Sequence, residues 1–90
     1  DRIHRDFDYR EDEWSYLIKE KFGFICVKCG IKGAELNSHH IYSYSRYPEY
    51  RYNLDFGVCL CKNCHRRFHS LYGIKKFLPE DTMKFLLFDV

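Results

Sequence analysis

Two Cys-x-x-Cys pairs constrain the fold of this 90-residue chain more than any other feature of its sequence. The first pair is Cys26 and Cys29, the second is Cys61 and Cys64, and 31 residues separate them. Each pair can chelate one edge of a tetrahedral ion, and thiolate sulfur is a preferred ligand of Zn²⁺. We therefore expect the four cysteines to hold a structural zinc ion.

The length of the chain and its cysteine count favour zinc over disulfides or an iron–sulfur cluster. A chain this short buries only about two-thirds of its unfolded surface and usually needs a cross-link to stay folded. Five cysteines is an odd number, and no apolar signal segment is present, so a reducing compartment is expected. Cys59 is expected to be a buried core thiol, with a competing metal ligand as the alternative.

The sequence is expected to form one soluble domain over residues 1–90. No stretch approaches the roughly 20 apolar residues that a membrane span needs. The first residue is Asp1 rather than Met, which suggests a processed or excised chain. The expected location is the cytoplasm, and secretion is not expected.

Helical periodicity predicts a helix near each end of the chain. Over residues 11–23 apolar side chains recur every three or four positions, acidic residues crowd the start, and Gly23 lies where the helix would end. A last helix is expected over residues 79–88, because proline is favoured in a first turn. Its inward side chains are expected to be Met83, Leu86 and Leu87.

The segment between these helices, residues 24–73, is expected to form the core. Its predicted elements are strands over 24–27, 36–42 and 56–60, a surface loop over 43–53, and a helix over 62–72. His65 and His69 share one face of this helix. His39 and His40 are neighbours on a strand, so they point to opposite faces and cannot do the same job.

These histidines predict a second, imidazole metal site. The spacing of His65 and His69 is a common way to present two ring nitrogens to one ion, and His39 is expected to be the third ligand. His40 is expected to act as a base, because a neutral imidazole with a pKa near 6.5 can take a proton from water at pH 7. Packed or surface histidines are the alternative. No role is expected for His4.

Basic side chains are concentrated on the segment that holds the histidines. The whole chain has a net charge of +2, whereas residues 42–76 carry 7 basic and 2 acidic side chains. Arginines interleaved with tyrosines suit a surface that contacts a phosphate backbone, and an ordinary solvated face is the alternative. The candidate contacts are Arg46, Arg51, Lys62, Arg66 and Arg67.

The order of these residues resembles that of the HNH endonucleases, whose active site is a ββα-metal motif. The resemblance is carried by Cys26-x-x-Cys29, His39-His40-Ile41 and Leu60-Cys61-x-x-Cys64-His65-x-x-x-His69. More narrowly, the chain is similar to the zinc-knuckle members of phages and mobile elements. The resemblance implies a small α+β fold, in which a ββα-metal motif with a four-cysteine zinc site is flanked by an N-terminal and a C-terminal helix.

The resemblance also implies an activity. It implies metal-dependent hydrolysis of DNA phosphodiester bonds, by nicking or double-strand cutting, with 5′-phosphate and 3′-hydroxyl ends. His40 takes the place of the general base, and His39, His65 and His69 take the places that bind one divalent ion. Mg²⁺ or Mn²⁺ is expected, and Ni²⁺, Co²⁺ and Zn²⁺ also suit imidazole ligands.

The remaining implications concern partners and location. DNA is the expected partner, no membrane or small-molecule cofactor is expected, and the host would be a bacterial or phage-infected cell. Because one small domain contacts few base pairs, additional domains or a homodimer are expected to supply target recognition.

One position departs from the family pattern. The family has an Asn five residues before the second Cys-x-x-Cys pair, where this chain has Phe56. Asn53 is the nearby candidate for its role, which is to pin the loop that holds the base, and a turn former is the alternative. Two other functions stay open: a non-catalytic zinc-binding module for DNA or protein, and a non-specific nuclease that also acts on RNA.

Overall fold

The computed structural model describes residues 9–88 and has the small α+β fold that the family resemblance implies. In chain order the elements are α1 (Tyr9–Lys21), β1 (Leu36–His40), β2 (Gly57–Cys61), α2 (Lys62–Tyr72) and α3 (Pro79–Leu87), with two 3-10 helices (Pro48–Tyr50 and Leu54–Phe56) between the strands. None of the helices in the described part of the chain is long and apolar enough to cross a membrane.

The two strands form an antiparallel sheet that separates two helical layers. Leu36 pairs with Cys61 at one end of the sheet and His40 pairs with Gly57 at the other. Because paired residues point to the same face, His39 and Val58 share one face while His40 and Gly57 share the other. The first face packs against α2 and α3, and the second against α1.

The main core lies between the sheet and the pair α2 and α3. Leu60, Phe68 and Phe85 are fully buried there, and the rings of Phe68 and Phe85 meet edge to face with centroids 5.5 Å apart. On the other face, Trp14 and Ile18 of α1 lie so close to Gly57 that a Cβ there would come within 2.5 Å of the indole. The close approach of α1 to the sheet therefore requires glycine at this position.

The predicted strand over residues 24–27 is wrong. Gly23 and Phe24 both have positive φ, and the chain then turns through the first cysteine pair with only an isolated bridge from Ile25 to Lys32. Two backbone N–H groups of this turn bond locally, Cys26 N–H to the Ile31 carbonyl and Gly30 N–H to the Cys26 carbonyl, and a third, Val27 N–H, donates to the Cys59 carbonyl of β2. Bringing two thiols together requires this tight turn, which leaves no length for an extended strand.

The inward face of α3 also differs from the predicted one. Met83 and Leu87 are exposed, at 43% and 70%, and only Leu86 is partly buried as expected. Thr82 and Phe85 are the fully buried residues instead. Apolar side chains lie on several sides of this nine-residue helix, so periodicity does not fix which side faces the core. The packing of Phe85 against Phe68 determines the rotation of α3 about its own axis.

The segment over residues 43–53, predicted as a surface loop, is anchored in the interior at its first residue. Ser43 is fully buried, and its hydroxyl donates to the Lys75 carbonyl and accepts from the Arg46 N–H. This contact ties the long connection between the strands to the segment that joins α2 and α3. The connection is therefore held close to the end of the sheet where β1 stops.

Candidate functional site

The four cysteines of the two pairs converge, with their sulfur atoms all within 4.8 Å of one another. The Sγ atoms of Cys29 and Cys61 are 3.7 Å apart. This matches the edge of about 3.8 Å of a tetrahedron with Zn–S distances of about 2.3 Å. Cys59 is fully buried outside this group, as expected of a core thiol.

The electrostatics of the cysteine cluster also suit a bound cation. Burial acts to raise the pKa of Cys26, but backbone N–H groups, those of Cys29 and Cys61 first, lower it to about 7. Burial raises the pKa of Cys64, and side-chain hydrogen bonds to its neighbours add to the effect. Neighbouring thiols cannot all ionise unless a positive charge compensates them. The donor set therefore fits Zn²⁺.

The cysteine cluster also fixes the start of α2. Cys61 is the N-cap residue, and its Sγ accepts a hydrogen bond from the Cys64 N–H at 3.4 Å. Lys28, within the first pair, donates from Nζ to the Phe85 carbonyl at 2.6 Å and so ties the cluster to α3. A metal at the cysteines would thereby hold both helices that pack on the face of His39.

The second cluster contains His39, His65 and His69, whose ring nitrogens also lie within 4.8 Å of one another. The Nε2 atoms of His65 and His69 are 3.1 Å apart. Two nitrogens bound to one ion at about 2.1 Å would be about 3.0 Å apart at right angles and about 3.4 Å apart in a tetrahedron. His65 and His69 thus lie at a separation that one ion can bridge, and a ring nitrogen of His39 lies within 4.8 Å of both.

Hydrogen bonds outside the cluster orient two of these rings. His69 Nδ1 lies 2.8 Å from the Gly73 carbonyl, which can only accept, so Nδ1 carries the hydrogen and Nε2 keeps its lone pair. His39 is 1% exposed, and its Nε2 lies 2.9 Å from Thr82 Oγ1. Partners of this kind set the tautomer and orientation of metal-binding histidines. Thr82 was not among the predicted site residues. Its sequence offers one signal, which is that a polar residue stands one turn before the apolar Phe85.

Burial favours the neutral, metal-binding form of His39 and His65. Burial lowers the pKa of His39 well below its usual value, and the nearby His65 and His69 lower it further. Burial, followed by the charges of His69 and His40, lowers the pKa of His65 to about 4. Converging neutral nitrogens suit a divalent ion.

His40 faces the opposite layer, as the alternation along β1 predicts. Its Nε2 lies 3.0 Å from the Arg51 carbonyl, which can only accept, so Nε2 carries the hydrogen and Nδ1 is left to accept a proton. Burial lowers the pKa of His40, so it is neutral at pH 7. Trp14 stacks on the ring with centroids 4.0 Å apart, and Tyr44 meets it edge to face.

Asn53 acts in the structure as a turn former. Its side chain accepts a hydrogen bond from the Asp55 N–H at 2.8 Å and caps the second 3-10 helix. Its backbone carbonyl accepts from Trp14 Nε1 at 3.0 Å. Phe56 packs its ring among tyrosines, with Tyr42 at 4.8 Å, and its carbonyl accepts from the Ile41 N–H.

The predicted contact residues on the long connection lie near His40. The Nε of Arg51 donates to the Tyr44 carbonyl at 2.6 Å, and its guanidinium lies 4.0 Å from the centre of the Tyr44 ring. Arg46 is exposed on the same connection. Two cationic side chains therefore lie on the segment that also supplies the hydrogen-bond partner of His40.

The predicted contact residues of α2 lie at different angles from the histidines. Because successive residues of a helix are about 100° apart, Arg66 flanks the face of His65 and His69 while Arg67 lies roughly opposite to it. The guanidinium of Arg67 lies over the Phe85 ring at 5.4 Å. Lys62 lies 3.7 Å from the Glu35 carboxylate across an exposed surface.

Comparison with known proteins bears on the central part of the chain. A family model described as HNH endonuclease matches residues 26–71, just over half of the sequence. The match spans both cysteine pairs, both strands and His39, His40, His65 and His69, and it leaves α1 and α3 outside. Searches of curated proteins and of solved structures returned no match. The four neighbouring cysteines agree with the zinc-knuckle subtype of this family. The chain therefore belongs to the HNH endonuclease family.

Proposed function

We propose that this protein is a metal-dependent endonuclease that hydrolyses DNA phosphodiester bonds and leaves 5′-phosphate and 3′-hydroxyl ends. The observation that carries the proposal is that His40, with Nδ1 left to accept a proton and a pKa lowered by burial, lies near a separate cluster formed by the ring nitrogens of His39, His65 and His69. Membership of the HNH endonuclease family supports nuclease activity. DNA as the substrate rests on the family and on the basic segment over residues 42–76.

His40 is proposed to be the general base. Its Nε2–H is committed to the Arg51 carbonyl, so Nδ1 removes a proton from a water molecule. The oxygen of that water attacks phosphorus in line with the 3′ oxygen, the P–O3′ bond breaks, and the leaving oxygen takes up a proton from solvent to become the 3′-hydroxyl. Because burial lowers the pKa of His40, the ring is free to accept this proton at neutral pH.

His39, His65 and His69 are proposed to hold one divalent ion, Mg²⁺ or Mn²⁺ in the cell. When bound, such an ion would supply positive charge that stabilises the negative charge developing on the phosphate in the transition state. The chain contributes the fixed orientation of the ligands, through the Gly73 carbonyl behind His69 and Thr82 behind His39. Zn²⁺ at the four cysteines is proposed to be structural.

Substrate phosphates are proposed to bind the basic residues that border these histidines. Arg51 and Arg46 lie on the connection beside His40, and Arg66 flanks His65 on α2. Arg67 lies farther around the helix, and Lys62 lies one turn before His65 beside the Glu35 carboxylate. Both are proposed to contact the backbone more distantly, adding a salt-dependent contribution to affinity.

The proposed function is tested by incubating zinc-loaded protein with supercoiled plasmid, with and without Mg²⁺ or Mn²⁺. We expect open-circular or linear product only with the added ion. DNA ligase should reseal the nicked circles directly, because resealing requires adjacent 5′-phosphate and 3′-hydroxyl ends. Absence of cleavage with every ion would favour a non-catalytic zinc module, and equal cleavage of RNA would favour a non-specific nuclease.

A further inference from the structure

The indole of Trp14 covers one face of the His40 ring. The ring centroids are 4.0 Å apart, the planes differ by 11°, and Trp14 is 2% exposed. Parallel stacking fixes the plane of an imidazole and leaves the nitrogens on its edge accessible. We propose that Trp14 is a positioning residue for His40, an inference that rests on the proposed function of His40 as a base.

Trp14 also holds the turn that fixes the edge of the His40 ring. The indole Nε1–H donates to the Asn53 carbonyl at 3.0 Å, and His40 Nε2–H donates to the Arg51 carbonyl at 3.0 Å. The two carbonyls are two residues apart on one turn. One side chain therefore restrains His40 directly through its face and indirectly through the backbone that binds its edge.

The sheet leaves space for this arrangement. Gly57 is the partner of His40 in the strand register, and a Cβ at Gly57 would lie 2.5 Å from Cζ2 of Trp14. Any larger residue there would push the indole away from the imidazole. The glycine in β2 and the tryptophan in α1 thus form one unit with His40, although α1 lies outside the residues that the family model matches.

Ile18 provides a control that distinguishes the positioning of His40 from ordinary core packing. It lies one turn after Trp14, is fully buried, and its Cδ1 would lie 2.7 Å from the same Cβ at Gly57. Ile18 and Trp14 therefore both pack against Gly57, on the same face of the sheet. Ile18→Ala therefore removes core contacts of α1 while leaving the indole over His40.

The test compares zinc-loaded Trp14→Leu, Trp14→Phe, Ile18→Ala, His40→Ala and parent protein at a temperature where all are folded. Two quantities are measured: kcat and KM for plasmid nicking, and the NMR shifts of the His40 ring C–H groups. We expect Trp14→Leu to lower kcat by about 10- to 100-fold with KM unchanged, because small displacements of a reacting group have costs of this size. Trp14→Phe should recover part of kcat, and Ile18→Ala should keep it.

The NMR shifts report the contact without reference to cleavage. Ring current from the stacked indole moves the His40 C–H signals, so Trp14→Leu should shift them and Ile18→Ala should not. Parent kcat in folded Trp14→Leu, or an equal loss in Ile18→Ala, would overturn the proposal. If His40→Ala nicks as fast as the parent, the proposed function of His40 as the general base is wrong instead. If Trp14→Leu does not fold, Gly57→Ala replaces it, and an unchanged kcat and unchanged His40 shifts there overturn the proposal.

Discussion

His65 Nε2 and His69 Nε2 lie 3.1 Å apart on consecutive turns of α2. His69 carries its hydrogen on Nδ1, toward the Gly73 carbonyl, so its Nε2 offers a lone pair to His65. A divalent ion between the two nitrogens would replace the hydrogen bond that joins them and would move the proton of His65 to Nδ1. The two Nε2 atoms can therefore share either a proton or a metal cation.

The first prediction concerns this pair. His69→Ala in zinc-loaded protein should weaken Mn²⁺ binding by at least about 10-fold. Loss of a hydrogen-bond partner behind a ligand already lowers metal affinity by about 10- to 100-fold, and loss of the ligand itself should lower it at least as much. Titration calorimetry measures the affinity, and zinc content should stay at one ion per chain. His40→Ala is the matched control, since its ring faces the other layer, and it should keep the affinity of the parent. Equal Mn²⁺ binding by His69→Ala and the parent would contradict the proposed ligand set.

The second prediction separates the four clustered cysteines from the fifth. Cys64→Ser should lose zinc and unfold, because a structural zinc site contributes on the order of 10 kcal/mol or more to small domains. Cys59→Ala should keep one zinc ion and a cooperative unfolding transition, since Cys59 lies in the core outside the cluster. Elemental analysis and circular dichroism decide the outcome. A folded Cys64→Ser protein with full zinc would show that the metal site lies elsewhere.

The third prediction concerns Thr82, whose hydroxyl lies 2.9 Å from His39 Nε2. Thr82→Val keeps the shape but leaves a buried ring nitrogen without its partner, which costs about 1–3 kcal/mol of stability. Loss of such an outer-shell partner should also weaken Mn²⁺ binding by about 10- to 100-fold. Thr82→Ser should restore both, and Met83→Ala, an exposed change on the same helix, should alter neither. Parent-like stability and Mn²⁺ affinity in Thr82→Val would refute this role.

The fourth prediction is a pH dependence of stability. Burial lowers the pKa of His39, His40 and His65 in the folded protein, that of His65 to about 4, whereas unfolded histidine has a pKa near 6.5. Below pH 6.5 the unfolded chain therefore binds more protons, and stability falls as the pH falls. Each group contributes at most about 1.4 kcal/mol per pH unit, and the contribution of His65 is lost between pH 6.5 and about 4.

This prediction is measured by urea unfolding of zinc-loaded protein at several pH values without added Mg²⁺ or Mn²⁺. Protonation of the cysteine ligands also acts in this range, so the useful quantity is the difference between the parent and His65→Gln. Stability of the variant should fall less steeply with decreasing pH. Identical slopes for the two proteins would show that His65 is not held neutral by the fold.

Features set by local spacing were predictable from the sequence. The two-residue spacing within each Cys-x-x-Cys pair is that of a metal chelate, and the four thiols do form one cluster. The α2 helix has its predicted bounds, with Cys61 capping its start and Gly73 following its end. The opposite directions of His39 and His40 follow from the alternation along a strand. The family match over residues 26–71 confirms the predicted family.

Features set by tertiary packing were not predictable. Trp14 and Thr82 contact His40 and His39 from helices 26 and 43 residues away in the chain, and no spacing rule joins residues so distant. The rotation of α3 was predicted wrongly because Met83 and Leu87 are as apolar as the buried Phe85. The functional role of Asn53 stays a prediction, since its side chain is used to cap a turn.

The role of His40 as the general base is tested by the first-order rate constant for plasmid nicking by zinc-loaded His40→Ala relative to the parent. General-base catalysis contributes about 10²- to 10⁴-fold, so the variant should nick at least about 100-fold more slowly while keeping its fold and one zinc ion per chain. Glu20→Ala, an exposed change on α1, should nick at the parent rate. A folded, zinc-loaded His40→Ala protein that nicks within a few-fold of the parent would contradict the assignment of His40 as the base.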